Sequence, residues 1–223
     1  MKNRICVTAI LLALILMPAL PRVSFAEDDD ATLRFYVENV AYVFARNYLF
    51  NTEADFSFKA RTILRTTDYR GVLKKIDTGS YAVYYKGGRL HSVDSLDSVA
   101  AGEVPLPDSF LFREPWKTDY SYYFFPNDTG AGRLAIGFEL EGAGRDSLPN
   151  GFFNINRDDF YPQALFLHSR NVGGYKRLSN TYYFKRLGKI LLPERFEKFA
   201  VQTAFLGRRY TRYIVEFYDY LIE

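Results

Sequence analysis

The sequence predicts a mainly β chain: an antiparallel meander of about eleven strands, curled into an unclosed barrel, with one N-terminal amphipathic helix as its lid. Three observations carry this expectation. Apolar residues recur with period two through most of the chain after Asn51, the spacing that puts every second side chain on one face of a sheet. Turn signals interrupt that alternation at short intervals, so neighbouring strands must run antiparallel. Aromatic residues are abundant, with 18 Tyr, 20 Phe and 1 Trp in 223 residues. So many rings need a core, a pocket or a membrane to hide in.

The first 26 residues read as an export leader. Lys2 and Arg4 make a positive start, Ile5 to Met17 is an apolar run of 13 residues, and Ser24-Phe25-Ala26 offers small residues for cleavage after Ala26. The run is shorter than the roughly 20 residues a membrane-spanning helix needs. Cys6 precedes the run, so it is not the lipidated cysteine of a lipoprotein. The expected organisation is a signal peptide over 1–26 and one domain over 27–223. The leader holds Lys2, Arg4 and Arg22 and no acid, so 26 basic and 26 acidic residues remain once it is removed. Cys6, Met1 and Met17 go with it. A mature chain without cysteine has no disulfide, thiolate metal site or cysteine nucleophile, which fits a bacterial periplasm.

Acidic residues 27–30 suit a helix N-terminus, where they meet the positive end of the dipole. Leu33, Val37, Val40, Ala41, Phe44 and Tyr48 then form one apolar stripe, which predicts a helix over about 29–48. Phe56, Phe58, Ala60, Thr62 and Leu64 alternate with polar neighbours as a half-buried strand. Further strands are expected near 70–77, 80–86, 89–95, 119–125, 133–141, 151–157, 163–169, 175–185, 191–205 and 208–220. Residues 191–205 also suit a helix, but a hairpin partner follows the Gly207 turn directly, so the strand is preferred. Residues 96–118 hold three prolines and many apolar side chains, and read as a flap packed on the sheet.

No catalytic motif emerges. His91 and His168 give no paired spacing, Asp158-Asp159 reads as a turn, and no phosphate loop or nucleophile elbow is present. The basic pairs Lys74-Lys75 and Arg208-Arg209 are short, and each reads as a solvated face. The sequon Asn127-Asp128-Thr129 reads as a hairpin turn. No catalytic residue, metal site or cofactor is expected.

The informative residues are the apolar ones in a single phase. Phe56, Phe58 and Leu64, Tyr81, Val83 and Tyr85, Leu134, Ile136, Phe138 and Leu140, and Tyr213, Val215 and Phe217 are the candidate lining of a cavity between helix and sheet. The competing reading is that they fill a dry core. In a cavity they could bury an acyl chain, at about 0.8 kcal/mol per methylene. Phe58→Asp or Phe138→Asp is then expected to weaken lipid binding without loss of folding.

A leader, one helix and about eleven antiparallel strands, with Gly79-Ser80-Tyr81-Ala82-Val83-Tyr84-Tyr85-Lys86 and the paired segments Leu192-Pro193-Glu194-Arg195-Phe196 and Tyr213-Ile214-Val215-Glu216-Phe217-Tyr218-Asp219-Tyr220, resembles the periplasmic outer-membrane lipoprotein carrier (LolA-like) superfamily. The resemblance implies an unclosed barrel with a helical lid and a hydrophobic cavity for lipid acyl groups. Members include lipoprotein chaperones, lipid transporters and sensors of envelope stress. No acceptor residue of the family aligns one-to-one, and none is carried over. The implied function is a non-catalytic periplasmic carrier. Its partners are lipid or lipoprotein acyl chains, with an envelope membrane beside them, no nucleic acid, and a monomeric chain. An outer-membrane β-barrel stays open as a second reading, favoured by alternating strands and aromatic girdles and opposed by the helix and by Lys59, Arg61 and Arg65. An uncharacterised periplasmic enzyme is a third.

Overall fold

In the computed structural model, residues 26–96, 120–125, 132–140, 150–172, 174–204 and 207–223 are described. The expected leader up to Phe25, the expected flap beyond Leu96, the sequon at Asn127 and residues 205–206 lie outside them. The chain divides into two compact units, Met1–Thr32 and Leu33–Glu223. Of the first, only the opening turns of a helix are described. The rest of that helix and all the strands belong to the second.

The helix, α1, spans Ala26–Asn47, and a single 3-10 turn follows at Leu49–Asn51. The expected stripe is the buried side: Leu33, Val37, Val40, Ala41, Phe44 and Tyr48 are all buried, while Arg34, Phe35, Glu38, Tyr42 and Arg46 are exposed. Ten strands follow among the described residues: β1 (Phe56–Thr67), β2 (Leu73–Lys86), β3 (Arg89–Ser95), β4 (Tyr120–Phe124), β5 (Arg133–Leu140), β6 (Asn150–Asn156), β7 (Pro162–Val172), β8 (Tyr175–Leu187), β9 (Ile190–Ala204) and β10 (Gly207–Ile222). Residues 190–204 are a strand, as the Gly207 turn requires.

The strands expected over 70–77 and 80–86 are one strand. Asp77-Thr78-Gly79 does not turn; it pairs in register with Leu64, Ile63 and Thr62. A Cβ on Gly79 would lie 2.8 Å from the Tyr81 hydroxyl and 3.0 Å from Thr62 Oγ1. The glycine therefore serves a close approach inside the sheet and not a reversal. The real turn after β2 is Gly87-Gly88, both with positive φ, which a two-residue hairpin demands.

All strands form one antiparallel sheet in the order β3-β2-β1-β10-β9-β8-β7-β6-β5-β4. Every neighbouring pair but one is consecutive in sequence. The exception is β1 with β10, registered from Phe56↔Ile222 to Thr67↔Tyr210. The two ends of the meander therefore meet inside the sheet, and β3 and β4, which are not paired to each other, end it. The sheet is unclosed.

It is also curled. The Tyr36 ring meets Phe124 of β4 at 6.4 Å, and the Phe50 ring meets Tyr85 of β2 at 5.1 Å. Laid flat, eight strand spacings of about 4.8 Å would separate β2 from β4 by about 38 Å. Tyr36 and Phe50 are only fourteen residues apart, about 21 Å along a helix. The sheet must wrap towards the helix for both ends to be touched. One hydrophobic cluster results, drawn from α1, the 3-10 turn and eight of the ten strands.

Candidate functional site

Residues directly opposite in an antiparallel pair share a face, so the register can be followed across the sheet. Two transverse rows define the concave side. The first runs Thr62, Val215, Phe196, Tyr182, Leu165, Phe153, Ile136 and Phe124 across β1 and β10 to β4. Apart from Thr62 it is wholly apolar or aromatic, and all but Phe124 are buried. The second row, one pleat farther from the α1 contacts, runs Leu64, Tyr213, Lys198, Asn180, Leu167, Gly151, Phe138 and Tyr122. Its apolar members are interrupted by a lysine, an amide and two phenols. Leu64, Tyr213, Lys198 and Asn180 are half-buried.

Rings link the apolar floor from strand to strand. Tyr85 stacks on Phe56 at 4.5 Å, Phe58 meets Phe217 at 5.8 Å, Phe196 meets Tyr182 at 4.7 Å, and Phe138 meets Phe153 at 6.2 Å. From above, Phe44 packs on Phe184 at 5.9 Å and Phe50 on Phe58 at 5.7 Å. The other end of α1 is tied to the turn after β6, where Phe160 meets Phe35 and Tyr36, and the Arg157 side chain donates to the Tyr36 hydroxyl at 3.2 Å.

Every described member of the expected lining falls on this concave face. Phe56, Phe58, Tyr81, Val83, Ile136, Phe138, Val215 and Phe217 belong to the buried cluster, and Tyr85, Leu134 and Tyr213 pack against it half-buried. Leu64 sits one row outward. Leu140 pairs with Tyr120 through the backbone, and its side chain lies outside the described residues. The burial changes one expectation: Phe58 is 2% exposed and Phe138 is 0% exposed. An aspartate at either place would be a buried, unpaired carboxylate, which unfolds a core. The sequence reading missed the middle of the floor, including Phe153, Leu165, Tyr182, Phe184 and Phe196. Alternation at Phe153 and Ile155, and at Leu165 and Leu167, was the available signal.

Burial also sets the electrostatics. The Tyr213 hydroxyl is pushed up to about 12 by burial, with the Tyr81 hydroxyl adding to it. Burial raises Tyr48 and Tyr220 as well. Among the described residues the Tyr48 hydroxyl and Asn180 Oδ1 are buried without a hydrogen-bond partner. His168, beside Arg177 and Arg170, is lowered, first by burial and then by those two cations, and its Nδ1 lies 3.0 Å from Ser179 Oγ.

A separate cavity of about 510 Å³ has a mixed lining that includes Arg133, Asn154, Asp159, Tyr161, Phe184 and Arg186. Asp159 is held in an ion pair with Arg186, whose guanidinium lies 4.2 Å from the Tyr161 ring centroid. Among the described residues no three His, Cys, Asp or Glu side chains cluster as a metal site. Among them too, no helix is long and apolar enough to cross a membrane.

No protein-family model matches the sequence, and no curated protein matches it. Several solved structures match it at low similarity. An outer membrane lipoprotein-sorting protein domain from Vibrio parahaemolyticus is 11% identical over 84% of this chain and 92% of that one, with a TM-score of 0.37. A DUF1329 family protein from Desulfovibrio piger is 9% identical over 84% of this chain and 92% of its own, with a TM-score of 0.27. MucB, in the MucA/MucB complex of Pseudomonas aeruginosa, is 9% identical over 83% of this chain and 94% of the matched chain, with a TM-score of 0.25.

Proposed function

We propose that this chain is an exported, periplasmic carrier that holds lipid acyl chains, free or on a lipid-modified protein, against the concave face of its curled sheet, without catalysis. One observation carries the reading: the two adjacent rows. An amphiphile needs apolar surface for its tail and polar groups at a fixed distance from it. The Val215–Phe124 row supplies the first. Tyr213, Lys198 and Asn180, one pleat away, supply the second. An entering chain would trade contacts with α1, because Val40, Phe44 and Tyr48 already occupy the floor. Each methylene buried is worth about 0.8 kcal/mol, so a chain of some sixteen carbons can offset the displaced helix contacts. The outer-membrane barrel fits less well. A spanning barrel closes its edges and turns an apolar band outward, whereas this sheet ends at β3 and β4 and turns Lys59, Arg61 and Arg65 to its outer face.

Native mass spectrometry of protein purified from its own envelope tests the proposal. Lipid-sized adducts are expected, and they should weaken in Leu64→Asp and Lys198→Glu, which change half-buried positions of the mixed row and leave the buried floor intact. A chain that carries no adduct and acquires none from lipid-containing micelles is not a carrier.

A further inference from the structure

The sequence shows two short basic pairs, Lys74-Lys75 and Arg208-Arg209, far apart in the chain. The β1–β10 pairing brings them together. Thr66 pairs with Lys75 on one side and Thr211 on the other, so the start of β2 lies two strand spacings, about 10 Å, from the start of β10. Between the two hairpin ends is a cavity of about 580 Å³ lined by Thr66, Asp68, Tyr69, Lys74, Lys75, Arg208 and Arg209 among others. Four cations line it, and of these Lys74 pairs with Asp68 at 3.2 Å and Lys75 with Asp77 at 2.6 Å. Arg208 and Arg209 are exposed and make no ion pair among the described residues.

The same tip carries exposed apolar side chains. Tyr69, Val72, Leu73 and Ile76 are each about half exposed. The turn beneath them is braced by its own hydrogen bonds. Asp68 Oδ1 accepts from the backbone N–H of Arg70 at 2.9 Å and of Val72 at 3.0 Å, and Gly71 takes the positive φ that closes it. Apolar side chains projecting from a preformed turn, ringed by cations, match the interfacial zone of a bilayer with anionic headgroups. A soluble acidic partner would be served by the cations and would leave those side chains in water.

We propose that the β1–β2 turn and the start of β10 form a docking surface for an anionic lipid bilayer. The surface lies at the end of the sheet away from α1, past the mixed row, so docking presents that end of the concave face to the membrane. It stands whether or not the interior holds cargo.

Co-sedimentation of the purified chain with vesicles tests this, using phosphatidylcholine with about a third phosphatidylglycerol against phosphatidylcholine alone, since each cation at an anionic surface contributes about fivefold in binding. Binding is expected to the anionic vesicles and to fall steeply with salt. Arg208→Gln with Arg209→Gln should weaken it roughly twenty-five-fold and flatten the salt dependence. Val72→Ser with Ile76→Ser should weaken it with the salt dependence kept. Both pairs are exposed, and their unfolding midpoints should match the parent. Equal binding to the two vesicle types, or full binding by both double variants, overturns the proposal. So does displacement by millimolar glycerol phosphate, which would mean a lone-headgroup site. Binding of polyglutamate without vesicles would mean an acidic protein partner and overturns it too.

Discussion

Burial of Tyr213, Tyr220 and Tyr48 on one concave face gives the protein an alkaline weakness. An unfolded tyrosine titrates near 10. Folded Tyr213 holds its proton to about 12, and burial holds those of Tyr48 and Tyr220 as well. Above about pH 10 the unfolded chain loses protons that the folded chain keeps, so folding stability falls as pH rises. The loss is expected to begin near pH 10 and to continue through about pH 12. Denaturant titrations at a series of pH values check it, and Tyr213→Phe should make the decline shallower. An unchanged slope in that variant would mean that the Tyr213 hydroxyl is not sheltered. At this scale the sequence was legible in part. Alternation correctly assigned Phe56, Phe58, Tyr81, Val83, Ile136, Phe138, Val215 and Phe217 to one face, because period two leaves a side chain only two choices. It could not distinguish a buried Phe138 from a half-buried Leu64, because depth depends on what packs above each strand.

Among the elements, the hairpins rest on local chemistry and on a few close approaches. Gly151 of β6 is the sharpest case. A Cβ there would lie 1.8 Å from the Phe166 carbonyl oxygen of β7, a backbone atom that can move only if the pairing moves. Gly151→Ala is expected to cost about 1–3 kcal/mol by overpacking, read as a lower urea midpoint. A midpoint equal to the parent's would place β6 farther from β7 than the register states. The α1 stripe and most strand boundaries followed from spacing alone. The failure at Asp77-Thr78-Gly79 has a plain cause: the triplet has turn composition, but β1 offers an unbroken ladder from Phe56↔Tyr85 to Leu64↔Asp77, and those hydrogen bonds outweigh a local preference.

Across the whole molecule, the β1–β10 pairing governs both stability and the placement of function. It turns two chain ends into the middle of the sheet and leaves β3 and β4 as its limits. Amide hydrogen exchange should therefore be slowest in β1, β10, β9 and β8, and fastest in β3, where all seven residues but one are exposed. Equal protection of β3 and β1 would contradict that layering. Sequence by itself determined the fold class, the helix stripe, the core face of β1, β2, β5 and β10 and the absence of familiar catalytic motifs, because each depends on near-neighbour spacing. Tertiary structure alone decided that the meander's two ends pair. It thereby decided that Lys74-Lys75 and Arg208-Arg209 become one basic tip, and that a polar row lies one pleat from an apolar one. Those outcomes depend on register between strands remote in the chain, which no local pattern encodes.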